Sequence, residues 1–330
     1  MKKILVASSA LVAVAFAGQA QASEKISLSV GGYMEQWVGV VDEDRNAEGK
    51  NKIQSDTEVH FKGSTTLDNG IEVGAAIEFE AEGDTNNNTD EQYLFINGGF
   101  GQVKLGQEDG AAADMTISAP AVGPVGANDG DLTNWINTSN VPNNSWDDGD
   151  DNKITYYTPV FGGFRAGVSY TDSADSEGTN TTTNGREVVS GGVEYNGDFD
   201  AVSVSVAAVG ESKNDGEWYN VGANVGFANF VVGASYGEKD KEFGDSTGTY
   251  DVDGFDVGVS YAMDAATVSA TYAFSDYGNG EVGAADLGLA YTLGAGVTWK
   301  SSIFWFEDDA DNNANDNDGF GAVTGLALSF

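Results

Sequence analysis

Carboxylates dominate the side chains here that could do chemistry: 52 Asp and Glu stand against 15 Lys and Arg and one histidine, a formal net charge of -37. One long stretch, 107–152, carries Glu108, Asp109, Asp114, Asp129 and Asp131, and farther on Asp147, Asp148, Asp150 and Asp151. Carboxylates gathered around confined water lower the energy of cations and raise that of anions. The same balance argues against a nucleic-acid partner, which needs a basic surface. A hydrolase site of the Ser/His or Asp/His kind would have to use His60, the only imidazole. His60 alternates with Val59 and Phe61, so it sits on a strand wall facing away from the apolar side. A second acidic run, 308–318, could bind calcium, but its spacing fails the helix-loop-helix pattern. Counted from Asp309, the sixth position is Ala314 and the twelfth Phe320, where that loop requires glycine and glutamate.

The elements that must hold these groups are strands. With 45 glycines, 11% aromatic residues and only 4 prolines, the composition favours many strands joined by tight turns. The clearest is 71–82: Ile71, Val73, Ala75, Ile77 and Phe79 share one face, Glu72, Gly74, Ala76, Glu78 and Glu80 the other. Before it, Asp68-Asn69-Gly70 reads as a hairpin turn. Similar alternation recurs to the end of the chain, with small or polar residues opposite Val202, Val204, Val206 and Ala208. About sixteen strands result, with connections expected to alternate strictly between short turns and long polar loops such as 237–253, 275–283 and 307–318, although the loop at 211–217 is short. One face stays apolar in strand after strand. A soluble sandwich would bury that face between sheets and present polar outer faces, so the pattern predicts an all-β fold, a transmembrane antiparallel barrel.

The N-terminus supports export. Lys2-Lys3, an apolar run from Ile4 to Ala17 and the small-residue site Ala20-Gln21-Ala22 read as a secretory signal peptide over 1–22, with the barrel over 23–330. The apolar run is too short for a membrane anchor, and zero cysteines fit the export route. The stretch 107–152 breaks strand periodicity between the hairpin 91–106 and the strands 153–158 and 164–170. Connections are usually about 4 to 6 residues. A loop so much longer is expected to fold into the lumen and narrow it, because large barrels otherwise leave an open aqueous channel.

The run Tyr93-Leu-Phe-Ile-Asn-Gly-Gly-Phe-Gly-Gln-Val-Lys-Leu-Gly-Gln107, the long insertion and Lys153-Ile-Thr-Tyr-Tyr-Thr-Pro resemble the general porins of Gram-negative bacteria, closest to those of alphaproteobacterial or marine type. The resemblance implies a sixteen-stranded homotrimeric barrel in the outer membrane, its third external loop folded inward as a constriction. It also implies that Leu326, Leu328 and Phe330, alternating to the terminal residue, are the signal read by the barrel-assembly machinery. One departure is the lack of a dense row of arginines opposite the loop acids.

On this reading the alternation sends His60, Lys62, Glu72, Glu78, Glu80, Lys104, Arg165, Glu194, Asp286 and Lys300 to the pore wall. The constriction loop adds Glu108, Asp109, Asp114, Asp129 and Asp131. The expected function is passive diffusion of ions and small hydrophilic solutes, weakly selective for cations, with loop acids facing basic wall residues. No cofactor is required, although Ca2+ could bind the acidic outer loops or bridge them to lipopolysaccharide. The competing readings are an outer-membrane barrel enzyme and a secreted calcium-dependent β-rich adhesin.

Overall fold

A computed structural model describes residues 25–45, 51–81, 89–128, 130–138, 140–147, 149–172, 187–213, 215–244, 248–310 and 316–330. The expected signal segment 1–22 lies outside them. The described chain is almost entirely strand: β1 (Ser29–Glu43), β2 (Asn51–Thr66), β3 (Glu72–Glu80), β4 (Thr89–Gly98), β5 (Gly101–Gln107), β6 (Asn152–Tyr157), β7 (Phe164–Thr171) and β8 (Val188–Phe199). The second half continues with β9 (Val202–Lys213), β10 (Gly216–Phe227), β11 (Phe230–Lys239), β12 (Val252–Met263), β13 (Ala266–Asp276), β14 (Gly280–Gly294), β15 (Val297–Ala310) and β16 (Asn317–Ser329). Every strand pairs antiparallel with its sequence neighbours, and β1 pairs with β16 from Tyr33↔Ser329 to Glu43↔Gly319, so the sheet closes on itself. Closure removes both sheet edges, the condition for a sheet to stand in hydrocarbon.

Alternation decides the two faces. Val38, Leu94, Leu105, Ile154, Val189, Val221, Leu287 and Ile303 are exposed on the outside of the closed wall. Soluble monomers rarely expose contiguous apolar patches larger than a few hundred Å², so a belt of this extent requires lipid or further subunits around it. Leu326, Leu328 and Phe330 belong to the same exterior, with Phe330 63% exposed and joined to β1 through backbone hydrogen bonds with Gly32.

At one end of the barrel the turns are tight. β8 and β9 turn at Asp200, β10 and β11 at Ala228, and β12 and β13 at Asp264, each with positive φ, the geometry that matches the twist of paired strands. At the other end the connections are longer but not uniformly so, which corrects the expectation of strict alternation. Residues 214–215 join β9 to β10, and 277–279 join β13 to β14. The expected loop 211–217 is largely strand because Glu211 and Lys213 point inward and are buried. The expected loop 275–283 is strand up to Asp276↔Glu281. Polar residues on an inward face look like loop in a sequence, and here they continue the ladder.

Candidate functional site

The third connection on the longer side runs from 108 to 151 and enters the barrel. It contains one short helix, α1 (Ala111–Met115), and a 3-10 turn (Gly130–Asn134). Its backbone is fastened to the inner wall by small polar side chains, strand by strand. Ala111 N donates to Ser169 Oγ on β7 (3.1 Å), Ala112 N to Ser190 Oγ on β8 (2.9 Å), Val122 N to Ser269 Oγ on β13 (3.1 Å) and Val125 N to Ser302 Oγ on β15 (3.2 Å). Asp256 on β12 collects four donors: Ala119 N, Ser235 N and the side-chain amides of Asn128 and Asn144. The outgoing and returning passes of the loop therefore meet on one buried carboxylate. Lys52 on β2 donates to Trp135 O (2.7 Å), which ties the far end across to the opposite side of the wall.

Glycines let the loop lie this close. A Cβ at Gly222 would come within 1.9 Å of Ile117 O, and one at Gly237 within 1.9 Å of Asn144 O. Apolar contacts complete the fit. Val125, Leu132, Trp135 and Ile136 of the loop pack on the inward-facing Trp37, Phe304, Phe306 and Val323, while Met115 packs near Tyr157, Val209 and Trp218. The inner face is thus not water-loving right round, as alternation suggested; the loop seals an apolar patch inside the barrel.

Most of the loop's anchors lie on β7 through β16, with Glu43 on β1 and Lys52 and Gln54 on β2 holding residues 134–137, and half-buried ionisable groups collect on β1 through β5 and around Arg165 and Lys300. Lys104 is 8% exposed and pairs with Glu108 (2.5 Å) and Asp114 (3.2 Å), its ammonium 4.9 Å from the Tyr93 ring centroid. Arg165 pairs with Glu194 (2.7 Å) and stacks over Tyr157, whose hydroxyl donates to Asp114. Lys300 pairs with Glu35 (3.4 Å), close to Asp131. Lys62 lies over the Phe95 ring. Glu72 accepts from Ser64 Oγ and Asn97 Nδ2. Where β3 meets β4, Ile77↔Gln92 is followed by Phe79↔Thr89, so β4 carries one extra residue there. Such a bulge re-aims side chains, and here it brings Asp90 beside Glu58, and Glu91 beside Asp109 and Asp150.

Burial and its neighbours Asp147, Asp150 and Asp114 push the Asp109 carboxyl up to about 7. Asp150 is likewise raised to about 6, first by burial and then by Asp90. In the loop, then, acid is packed against acid beyond what the basic groups nearby offset.

Residues 7–322 match the family of Gram-negative porins. The chain belongs to that family. A curated relative, outer membrane porin protein 32 of Delftia acidovorans, is 28% identical over 246 residues, covering 69% of this chain and 66% of its own length. The chain thus spans slightly under two thirds of that relative. Among solved structures, an anion-selective porin from Comamonas acidovorans superposes with a TM-score of 0.69 at 18% identity, covering 93% of this chain and 100% of the other. OmpT, an outer membrane protein of Vibrio cholerae in trimer form, gives 0.66 at 12% identity with 93% and 100% coverage. A variant of Rh. blastica porin gives 0.64 at 18% identity with 92% and 100% coverage. At these identities the structures show a shared barrel fold.

Within this porin the residues singled out from sequence separate into three groups. His60, Lys62, Glu72, Glu78, Arg165 and Lys300 are half-buried on the inner wall, as is Glu80, and Asp109, Asp114 and Asp131 lie on the inserted loop. Lys104 and Glu108 are buried against each other, and Asp286, 3% exposed, accepts from Ala127 N as a loop anchor. Asp129 and Asp148 lie outside the described residues. Loop acids do meet wall bases at Lys104, but as contact pairs on one side rather than as rows facing across a gap. The anchors Asp256, Ser169, Ser190, Ser269 and Ser302 were missed by sequence reasoning. Their only signal was the small, polar character of the face opposite the apolar residues.

Proposed function

We propose that this porin forms a water-filled outer-membrane channel through which ions and small hydrophilic solutes diffuse passively, with a weak preference for cations. The observation carrying this reading is the closed wall, apolar outside, whose interior holds a hydrogen-bonded loop and a surplus of carboxylates. Family membership supports a channel and an outer-membrane location rather than an enzyme; the trimer form described for the Vibrio cholerae protein supports a homotrimer, and residues 1–22 would direct export. Selectivity rests on this chain's own charges, because the Comamonas acidovorans porin, similar in fold, is described as anion-selective. Here Glu35, Glu58, Glu78, Glu91, Asp109 and Asp150 crowd the inner surface, whereas Lys104 is occupied by two acids. Carboxylates lining a confined passage favour cations.

Zero-current potentials across a planar bilayer under a salt gradient test this. The expected sign is that of cation movement, and a potential of the opposite sign would overturn the selectivity. The effect should depend on pH in one direction. Asp109 and Asp150 have raised carboxyls, neutral below about 6 to 7, so raising the pH adds two negative charges. Cation preference should be larger at about pH 8 than at about pH 5.

A further inference from the structure

We propose that Glu58, His60 and Glu78 form a binding site for one divalent transition-metal ion of the zinc class on the inner wall of the barrel. This goes beyond the channel reading and does not depend on it. Strand geometry assembles the three groups. Glu58 and His60 are two residues apart on β2 and so share its inward face, and the register places His60 directly opposite Glu78 on β3. His60 Nε2 lies 3.1 Å from Glu58 Oε2 and 3.7 Å from Glu78 Oε2, and one donor atom from each residue falls within 4.8 Å of the others.

These separations suit a small tetrahedral ion. Bonds of about 2.0 to 2.2 Å from zinc to imidazole nitrogen and carboxylate oxygen set neighbouring ligand atoms roughly 3.3 to 3.6 Å apart, and the two measured distances bracket that range. A second observation is the local charge. The Glu58 side chain is 9% exposed, and Tyr33, Glu78 and Asp90 all hydrogen-bond to it. Three carboxylates thus crowd one imidazole, an excess of negative charge that a dication would offset. Tyr33 meets the imidazole edge to face at 6.0 Å between ring centroids, which limits how the ring can turn.

One nitrogen and two oxygens select the metal class. Imidazole suits zinc, copper and nickel, whereas calcium and magnesium prefer oxygen-only sites. Three protein ligands leave a fourth position for water, as in open zinc sites. The neighbouring acids Glu91, Asp109 and Asp150 offer oxygen alone and are not part of this site.

The test is equilibrium dialysis of the purified full chain in detergent against Zn2+ with excess Ca2+ present, which occupies the acidic loops. One zinc per chain should bind saturably, and His60→Ala and Glu58→Gln should each weaken binding at least tenfold while the folded barrel's circular dichroism is kept. Co2+ bound to the unaltered protein should show the intense visible absorption of tetrahedral cobalt, a readout that needs no variant to fold. Absence of saturable uptake over calcium, unchanged uptake in His60→Ala, or an octahedral cobalt spectrum would each overturn the proposal. None of these measurements involves conduction, so failure here leaves the channel reading intact, and a channel that failed to conduct would leave this site standing.

Discussion

Replacing Asp256 by alanine is expected to raise single-channel conductance by tens of per cent or more and to make the open current noisier, while the barrel itself remains folded. Asp256 is 1% exposed and accepts from Ala119 N (3.1 Å), Asn128 Nδ2 (3.0 Å), Asn144 Nδ2 (3.2 Å) and Ser235 N (2.8 Å). Three of these donors belong to the inserted loop. A buried donor left without its acceptor costs about 1 to 3 kcal/mol, so the substitution removes several kcal/mol that hold both passes of the loop on the wall. The barrel ladder depends on this carboxylate only at Ser235 N, because β11, β12 and β13 otherwise pair through their backbones. Limited proteolysis within 108–151 should rise in step with the conductance. Unchanged current and unchanged protease resistance in the variant would show that the loop is held by other means.

Lys104→Met should destabilise the protein by about 3 to 5 kcal/mol, the cost of removing one partner of a buried ion pair. Glu108 is 0% exposed, and Lys104 is the cation that its carboxylate contacts at 2.5 Å. Asp114, 3.2 Å from the same ammonium, would lose its cation too and keep only the Tyr157 hydroxyl. A well-packed neutral replacement of both sides should be far milder, so Lys104→Met combined with Glu108→Gln should recover much of the loss. Heat or urea unfolding in detergent measures Lys104→Met, Glu108→Gln and the double variant. If the losses in the single variants simply add in the double variant, the two groups are not coupled and the pairing is energetically idle.

The barrel was legible because its outward residues follow a rule with period two: Ile71, Val73, Ala75, Ile77 and Phe79 cannot all face lipid in any other register. The loop was legible by its length and by the regular strands on either side. What alternation could not say was which inward residues meet water. Asp286, Glu108 and Lys104 look like pore charges in sequence, yet the loop covers all three. Ser269 and Ser302 look like unremarkable solvated positions, yet they accept backbone N–H groups of residues more than a hundred positions away. Ile303-Phe304-Trp305-Phe306 shows no alternation at all, since Ile303 and Trp305 face outward while Phe304 and Phe306 are sealed under Trp135 and its neighbours. A contact made by a folded-in loop leaves no periodic mark on either partner. The glycines at Gly222 and Gly237 were the nearest thing to one, because each keeps the wall smooth where loop carbonyls touch it.

On the proposed function, an aqueous path runs through a barrel narrowed, but not closed, by its third loop. The purified chain reconstituted in a planar bilayer addresses it most directly, with single-channel current recorded against voltage. Discrete current steps on insertion are expected, with an ohmic open state and conductance that increases with the mobility of the bathing ions. Inserted, folded protein that gives no current steps would contradict it.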